Sequence, residues 1–196
     1  MIKRILLFLF CALPLTFCGC AGANEIDKSS IIETVTAGER EGKIYYSFYL
    51  LTSEDKPKSV SIQATSFEEA CFLAEQKYIP NLTLSKLELF LIDKTIIDET
   101  LKKDIDFISE QQYFSPLMYV TLCDEQVIKD MAENKELPKQ TEEHIILQKN
   151  KNKELSVNAL SIFNNFHNSA VEEFSVLYIN SNNEIKALPL KITCEK

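Results

Sequence analysis

The sequence predicts an α/β (α+β) protein: a mixed β-sheet of about six strands with helices packed on it, and antiparallel hairpins at both ends of the chain. Three observations predict it. Ile44, Tyr46, Phe48 and Leu50 alternate with more polar neighbours, the period of a half-buried strand. Phe67, Ala70, Cys71, Ala74 and Tyr78, and later Ile97, Leu101, Ile105 and Ile108, recur at helical spacing. Strand and helix patterns alternate through the middle of the chain, and strand–turn–strand runs bracket them, which is the order of helices layered on a mixed sheet.

Taken in order, residues 31–36 (IIETVT) read as extended and 37–43 (AGEREGK) as a loop. Residues 44–51 form a strand, 52–58 (TSEDKPK) a turn, and 59–65 (SVSIQAT) a second strand of the opening hairpin. Ser66 and Glu69 have the spacing of a capping box and open a helix that ends before Pro80. Leu87–Asp93 is apolar enough for a central strand. Thr95 then caps a helix whose buried side is Ile97, Leu101, Ile105 and Ile108, with Lys102, Lys103, Asp104 and Asp106 on the other side. Residues 116–123 read as a strand and Asp124 caps a short helix through Met131. The charged stretch 134–154 reads as a loop around a helix at 142–148. A helix at 156–167 places Leu160, Phe163 and Phe166 on one face. Two strands joined by the turn-forming 180–183 (NSNN) close the chain, and Pro189 assigns the last one to a sheet edge, since it cannot donate to a ladder.

The 196 residues carry 21 basic and 29 acidic side chains, a formal charge of −8. Residues 1–19 hold Lys3, Arg4 and no acid, so a chain beginning at Cys20 would carry −10. That balance excludes nucleic acid as a partner and a polybasic dock on anionic lipid. Residues 1–17 have the pattern of an export signal: Lys3 and Arg4, then an apolar run from Ile5 too short to span a bilayer. Two processing chemistries fit its end. Gly19-Cys20 suits a lipobox, in which the Cys20 sulfur takes a diacylglyceryl group. Ala21-Gly22-Ala23 suits ordinary cleavage, which would release a soluble protein. The organisation is then a signal at 1–19, a tether at 20–30 and a single mixed α/β domain at 31–196.

Cys71, Cys123 and Cys194 remain, an odd and widely spaced set that matches neither a disulfide framework nor a zinc pattern; they read as free thiols or as one bridge plus one thiol. All four glycines (Gly19, Gly22, Gly38, Gly42) precede residue 43. The body of the domain therefore contains no P-loop, dinucleotide fingerprint or nucleophile elbow. His144 sits in a polar stretch, and His167 ends a helix, where an imidazole suits the macrodipole. Asp98 and Asp106 are eight residues apart among lysines and read as a solvated face. Asn81-Leu82-Thr83 matches a glycosylation sequon. Tyr45, Tyr46, Phe48 and Tyr49 place aromatics on both sides of one strand, as core plus sheet surface or as a contact surface for another protein. No catalytic residue, metal ligand or cofactor site is nominated.

Gly19-Cys20 with the following segment through Leu51, SIQATSFEEACFLAEQKY, the stretch from Leu84 to Glu133 and ALSIFNNFHNSAVEEF together resemble the N-terminal domain of the Ger(x)C spore germination lipoproteins, in divergent form. These are the C subunits of nutrient germinant receptors. The resemblance implies a mixed α/β fold, export, a lipid anchor on Cys20 at the outer face of the cytoplasmic (inner spore) membrane, partnership with multi-span A and B receptor subunits, and no catalysis. A lipid-anchored module for a small ligand or cell-wall fragment is the alternative, and an exported hydrolase a third.

Overall fold

The alternation that begins at Ile44 belongs to the second strand of an eight-stranded sheet. The computed structural model describes residues 30–51, 58–111, 114–134, 136–151, 157–168 and 172–191. Its strands are β1 (Ser30–Arg40), β2 (Lys43–Leu50), β3 (Lys58–Gln63), β4 (Leu82–Thr83), β5 (Leu89–Asp93), β6 (Tyr119–Cys123), β7 (Glu173–Ile179) and β8 (Ile185–Lys191). The helices are α1 (Phe67–Lys77), α2 (Ile97–Glu110), α3 (Glu125–Glu133), α4 (Leu137–Lys151) and α5 (Ala159–His167). Sheet order is β3-β2-β1-β5-β6-β7-β8, with the short β4 paired to β1. β1, β5, β6 and β7 run parallel; β2 and β8 are antiparallel to their neighbours, so a hairpin stands at each end.

The loop expected at 37–43 is instead strand up to Arg40, followed by a two-residue turn. Glu41 (φ 54°) and Gly42 (φ 72°) both take positive φ, the geometry of a tight hairpin turn whose twist matches its strands. At the far end, the 180–183 turn closes β7 onto β8 with Asn183 at φ 60°, and Pro189 lies in the edge strand β8, as its missing N–H requires.

The sheet buries both faces. On the first, Val35, Tyr46, Phe48, Phe90, Ile92 and Val120 meet α1, α2 and α5. On the second, Tyr49, Leu89, Leu91, Cys123, Leu177 and Ile179 meet α3 and α4. This two-sided burial explains why β5 (LFLID) is a continuous apolar run: all five of its residues are buried.

Several local expectations change. α4 is one helix of fifteen residues rather than a short helix within a loop: Leu137, Thr141 and Ile145 recur every four residues and seat it on the second face. Thr95 does not cap α2. The carboxylate of Asp93 accepts from the Thr95 N–H and hydroxyl, both at 2.9 Å, and caps the 3-10 turn that leads into the helix. At α1 the Ser66 hydroxyl accepts from Glu69 N–H at 3.2 Å, but the Glu69 carboxylate turns to the N–H and hydroxyl of Thr65. In α5, Ala159 and Ile162 form the buried stripe; Phe163 and Phe166 are half-buried, and Leu160 faces outward. Asp104 is not on the solvated side of α2. It stands three residues after Leu101 and four before Ile108, on the apolar stripe itself, and it is buried.

Candidate functional site

Open α/β sheets bind ligands at the carboxyl ends of their parallel strands, in the crevice where the strand order reverses. Here β1, β5, β6 and β7 are parallel neighbours in that order; α2 leaves β5 onto the first face, whereas α3 leaves β6 onto the second. The parallel set thus sends the chain to opposite faces after β5 and after β6, which is where such a crevice would open. Its carboxyl edge is occupied by the chain's own groups. Asp124, just after β6, accepts from Lys94 Nζ at 2.7 Å, the Tyr178 hydroxyl at 2.7 Å and the Ser181 N–H at 2.8 Å. Lys94 also donates to the Tyr178 oxygen at 3.1 Å and lies over its ring. Its hydrogen bonds from Lys94 and Tyr178 hold the Asp124 carboxyl down at about 2. This carboxylate does not cap α3, as the sequence suggested; it ties the β7–β8 hairpin to the rest of the sheet.

A second cluster lies under α1. Asp104 accepts from the Tyr46 hydroxyl at 2.8 Å and from the Phe67 N–H at 2.9 Å, and no cation reaches it within salt-bridge distance among the described residues. Burial raises its carboxyl to about 7, against the opposing pull of those two donors. Burial likewise raises the Tyr46 hydroxyl and the Cys71 thiol well above their ordinary ranges. The arrangement fastens strand, helix and helix together, and it is sealed from solvent.

Between the start of α1 and the middle of α2 lies an open groove of about 490 Å³, lined by Thr65, Ser66, Glu68, Lys103, Asp106 and Phe107 among others. Asp106 also meets His167 across to α5, Oδ1 to Nε2 at 2.8 Å, and the imidazole lies 4.3 Å from the Phe163 ring. His167 thus closes its helix against a carboxylate as well as the helix end. The side chain of Asp98, paired with Asp106 in the sequence reading, lies outside the described residues. His144 lines a small cavity between α4 and the β7–β8 turn.

Cys71 and Cys123 are both free thiols, one half-buried and one buried; Cys20 and Cys194 lie outside the described residues. Asn81 is exposed in a left-handed turn (φ 54°) beside β4. Of the four aromatics of β2, Tyr46 and Phe48 fill the first face, Tyr49 the second, and Tyr45 carries the Arg40 guanidinium on its ring. Among the described residues no three His, Cys, Asp or Glu side chains converge as metal ligands, and no helix is long and apolar enough to cross a membrane.

The family model described as "Spore germination protein N-terminal domain" matches residues 22–180. The chain belongs to that family. Its role therefore lies in spore germination, as the resemblance implied, and the matched germination domain takes in the whole sheet except β8. No curated protein and no solved structure matches the chain. Sequence reasoning missed the Asp104 and Asp124 clusters. Asp104 was detectable from its place on the Leu101–Ile108 stripe, whereas the partners of Asp124 come from segments distant in sequence and left no local signal.

Proposed function

We propose that this germination domain is a non-enzymatic extracytoplasmic protein, held on the outer face of the membrane by a diacylglyceryl group on Cys20, that serves as a subunit of a germinant-receptor complex beside multi-span A- and B-type subunits. The observation that carries the reading is the family match, whose first residue, 22, lies two positions after Cys20. The export pattern of residues 1–17 and the Gly19-Cys20 pair supply the anchor chemistry. The polar clusters of the described domain support the non-enzymatic part: Asp124 and Asp104 spend their lone pairs on the domain's own donors.

Deleting the gene and measuring nutrient-triggered germination of the spores tests the role; a nutrient-specific loss is expected, and unchanged germination across nutrients, with paralogues also deleted, overturns it. Metabolic labelling with a fatty acid tests the anchor, and labelling that persists in Cys20→Ala would show that another residue carries the lipid. Co-isolation with multi-span subunits from detergent-solubilised membranes tests the complex. The groove beside α1 favours one second reading, binding of a small polar ligand or cell-wall fragment. Saturable binding to the chain without membrane subunits would support it.

A further inference from the structure

Ser30 begins β1 at the end of the sheet where the parallel strands start, the end opposite the Asp124 cluster. A ladder of backbone bonds crosses this end. Ser30 N–H donates to Asn81 O (3.1 Å), Leu51 to Ile31 (2.9 Å), Glu88 to Glu33 (3.0 Å), Tyr119 to Glu88 (2.8 Å) and Leu160 to Pro116 (2.9 Å). Along that ladder stand four large apolar side chains turned to solvent: Leu51 (53% exposed), Tyr78 (61%), Leu117 (62%) and Leu160 (42%). A single exposed leucine needs no explanation. Four of them from four separate segments, gathered at the end where the N-terminal segment enters, are a different matter. β2, β1, β5 and β6 are successive neighbours, so the row from Leu51 to Leu117 spans about 15 Å at the usual strand spacing.

We propose that this end of the domain rests on the bilayer itself, with Leu51, Tyr78, Leu117 and Leu160 seated at the boundary between headgroups and acyl chains. The inference rests on the Cys20 anchor. Cys20 and Ser30 are ten residues apart, which bounds their separation at about 36 Å even at full extension. The tether enters the domain at this end, so a lipid on Cys20 keeps this end within that distance of the bilayer. At that effective concentration, contacts too weak to recruit the protein alone are occupied. Leucine and tyrosine are the side chains such a boundary takes, an apolar body with or without a polar tip. Charge is distributed to match: Lys58, Lys77 and Lys86 are exposed around this end, whereas Glu33, Glu88 and Glu142 gather at the cavity on the α4 side. The bilayer contact thus lies toward α1 and α5.

The protein contains no tryptophan, so one substitution supplies the only indole. Full-length Leu117→Trp, Tyr78→Trp and, at the opposite end, Asn182→Trp are expressed, processed in a bacterial host and reconstituted into phosphatidylethanolamine–phosphatidylglycerol vesicles with brominated acyl chains. Emission from positions 117 and 78 is expected to shift to the blue and to be lost by quenching, and that from 182 to stay unchanged. Leu51→Trp gives an independent reading should either variant fold poorly. Flotation of the vesicles reads the anchor separately. Protein that floats with 117, 78 and 51 as unquenched as 182 overturns the orientation and leaves the anchor intact. Protein that fails to float overturns the anchor and the orientation with it.

Discussion

The Tyr46 hydroxyl donates to Asp104 at 2.8 Å, joining β2 to α2 through a carboxylate whose other oxygen holds the first N–H of α1. Two neutral donors satisfy the group without neutralising it. Burial outweighs the pull of those donors, and Asp104 stays protonated far above the usual carboxylate range, up to about 7. Between an ordinary value near 3.8 and about 7 the folded chain binds more protons than the unfolded one, so this group's contribution to stability falls as pH rises through that window and is level above it. Full ionisation costs on the order of 4 kcal/mol. Asp104→Asn keeps the acceptor for Phe67 and removes the charge. Denaturant unfolding is expected to show the variant gaining on the parent steadily from pH 4 to pH 7; a pH-independent difference would mean that Asp104 is ionised throughout.

Asp124 has the opposite sign. Its carboxyl is held at about 2, so its contribution is present above the ordinary value of 3.8 and is lost as pH falls through about 2. The hydrogen bonds from Lys94 and Tyr178 carry most of the effect and that from Ser181 adds to it; Lys94 is half-exposed, so solvent screening reduces its share of the stability. Asp124→Ala is expected to cost about 1–2 kcal/mol at neutral pH. Amide exchange should locate the loss, with faster exchange in β7 and β8 and little change in β1 and β2.

The sequence revealed patterns that depend on spacing and concealed those that depend on what lies on top. Alternation in β2 and the helical stripe of α2 were legible because a strand or helix shows its own period in its own residues. Pro189 was legible because its missing N–H acts wherever it stands. Asp104 was assigned to the wrong side of α2 because residue type was weighed above position: charge suggested solvent, while its spacing from Leu101 and Ile108 placed it beneath α1. Leu160 failed the other way, since its apolarity suggested core although Ala159 and Ile162 hold the buried stripe of α5. The extent of α4 was hidden by its charge, because Leu137, Thr141 and Ile145 make a narrow stripe amid polar neighbours. The Lys94–Asp124–Tyr178 cluster joins groups up to 84 residues apart and depends on sheet order, which no local pattern encodes.

Phe67 is the side chain on which the first face turns. Its ring is within 6.0 Å of the Tyr46, Phe48, Phe90, Phe107 and Phe114 centroids, with the closest, Phe90, at 5.0 Å and Phe107 edge-on at 90°. The same residue supplies the N–H that Asp104 holds. Truncation to alanine removes a fully buried ring from a packed site and leaves a cavity among five aromatics, so Phe67→Ala is expected to cost about 3–5 kcal/mol. Phe72, five residues later and on the other side of the same helix, is 59% exposed, and Phe72→Ala should stay within about 0.5 kcal/mol of the parent. The pair separates burial from helix propensity, because alanine favours the helix at both positions. Urea midpoints for the two variants check the contrast, and similar losses at both would contradict the placement of α1 against the sheet.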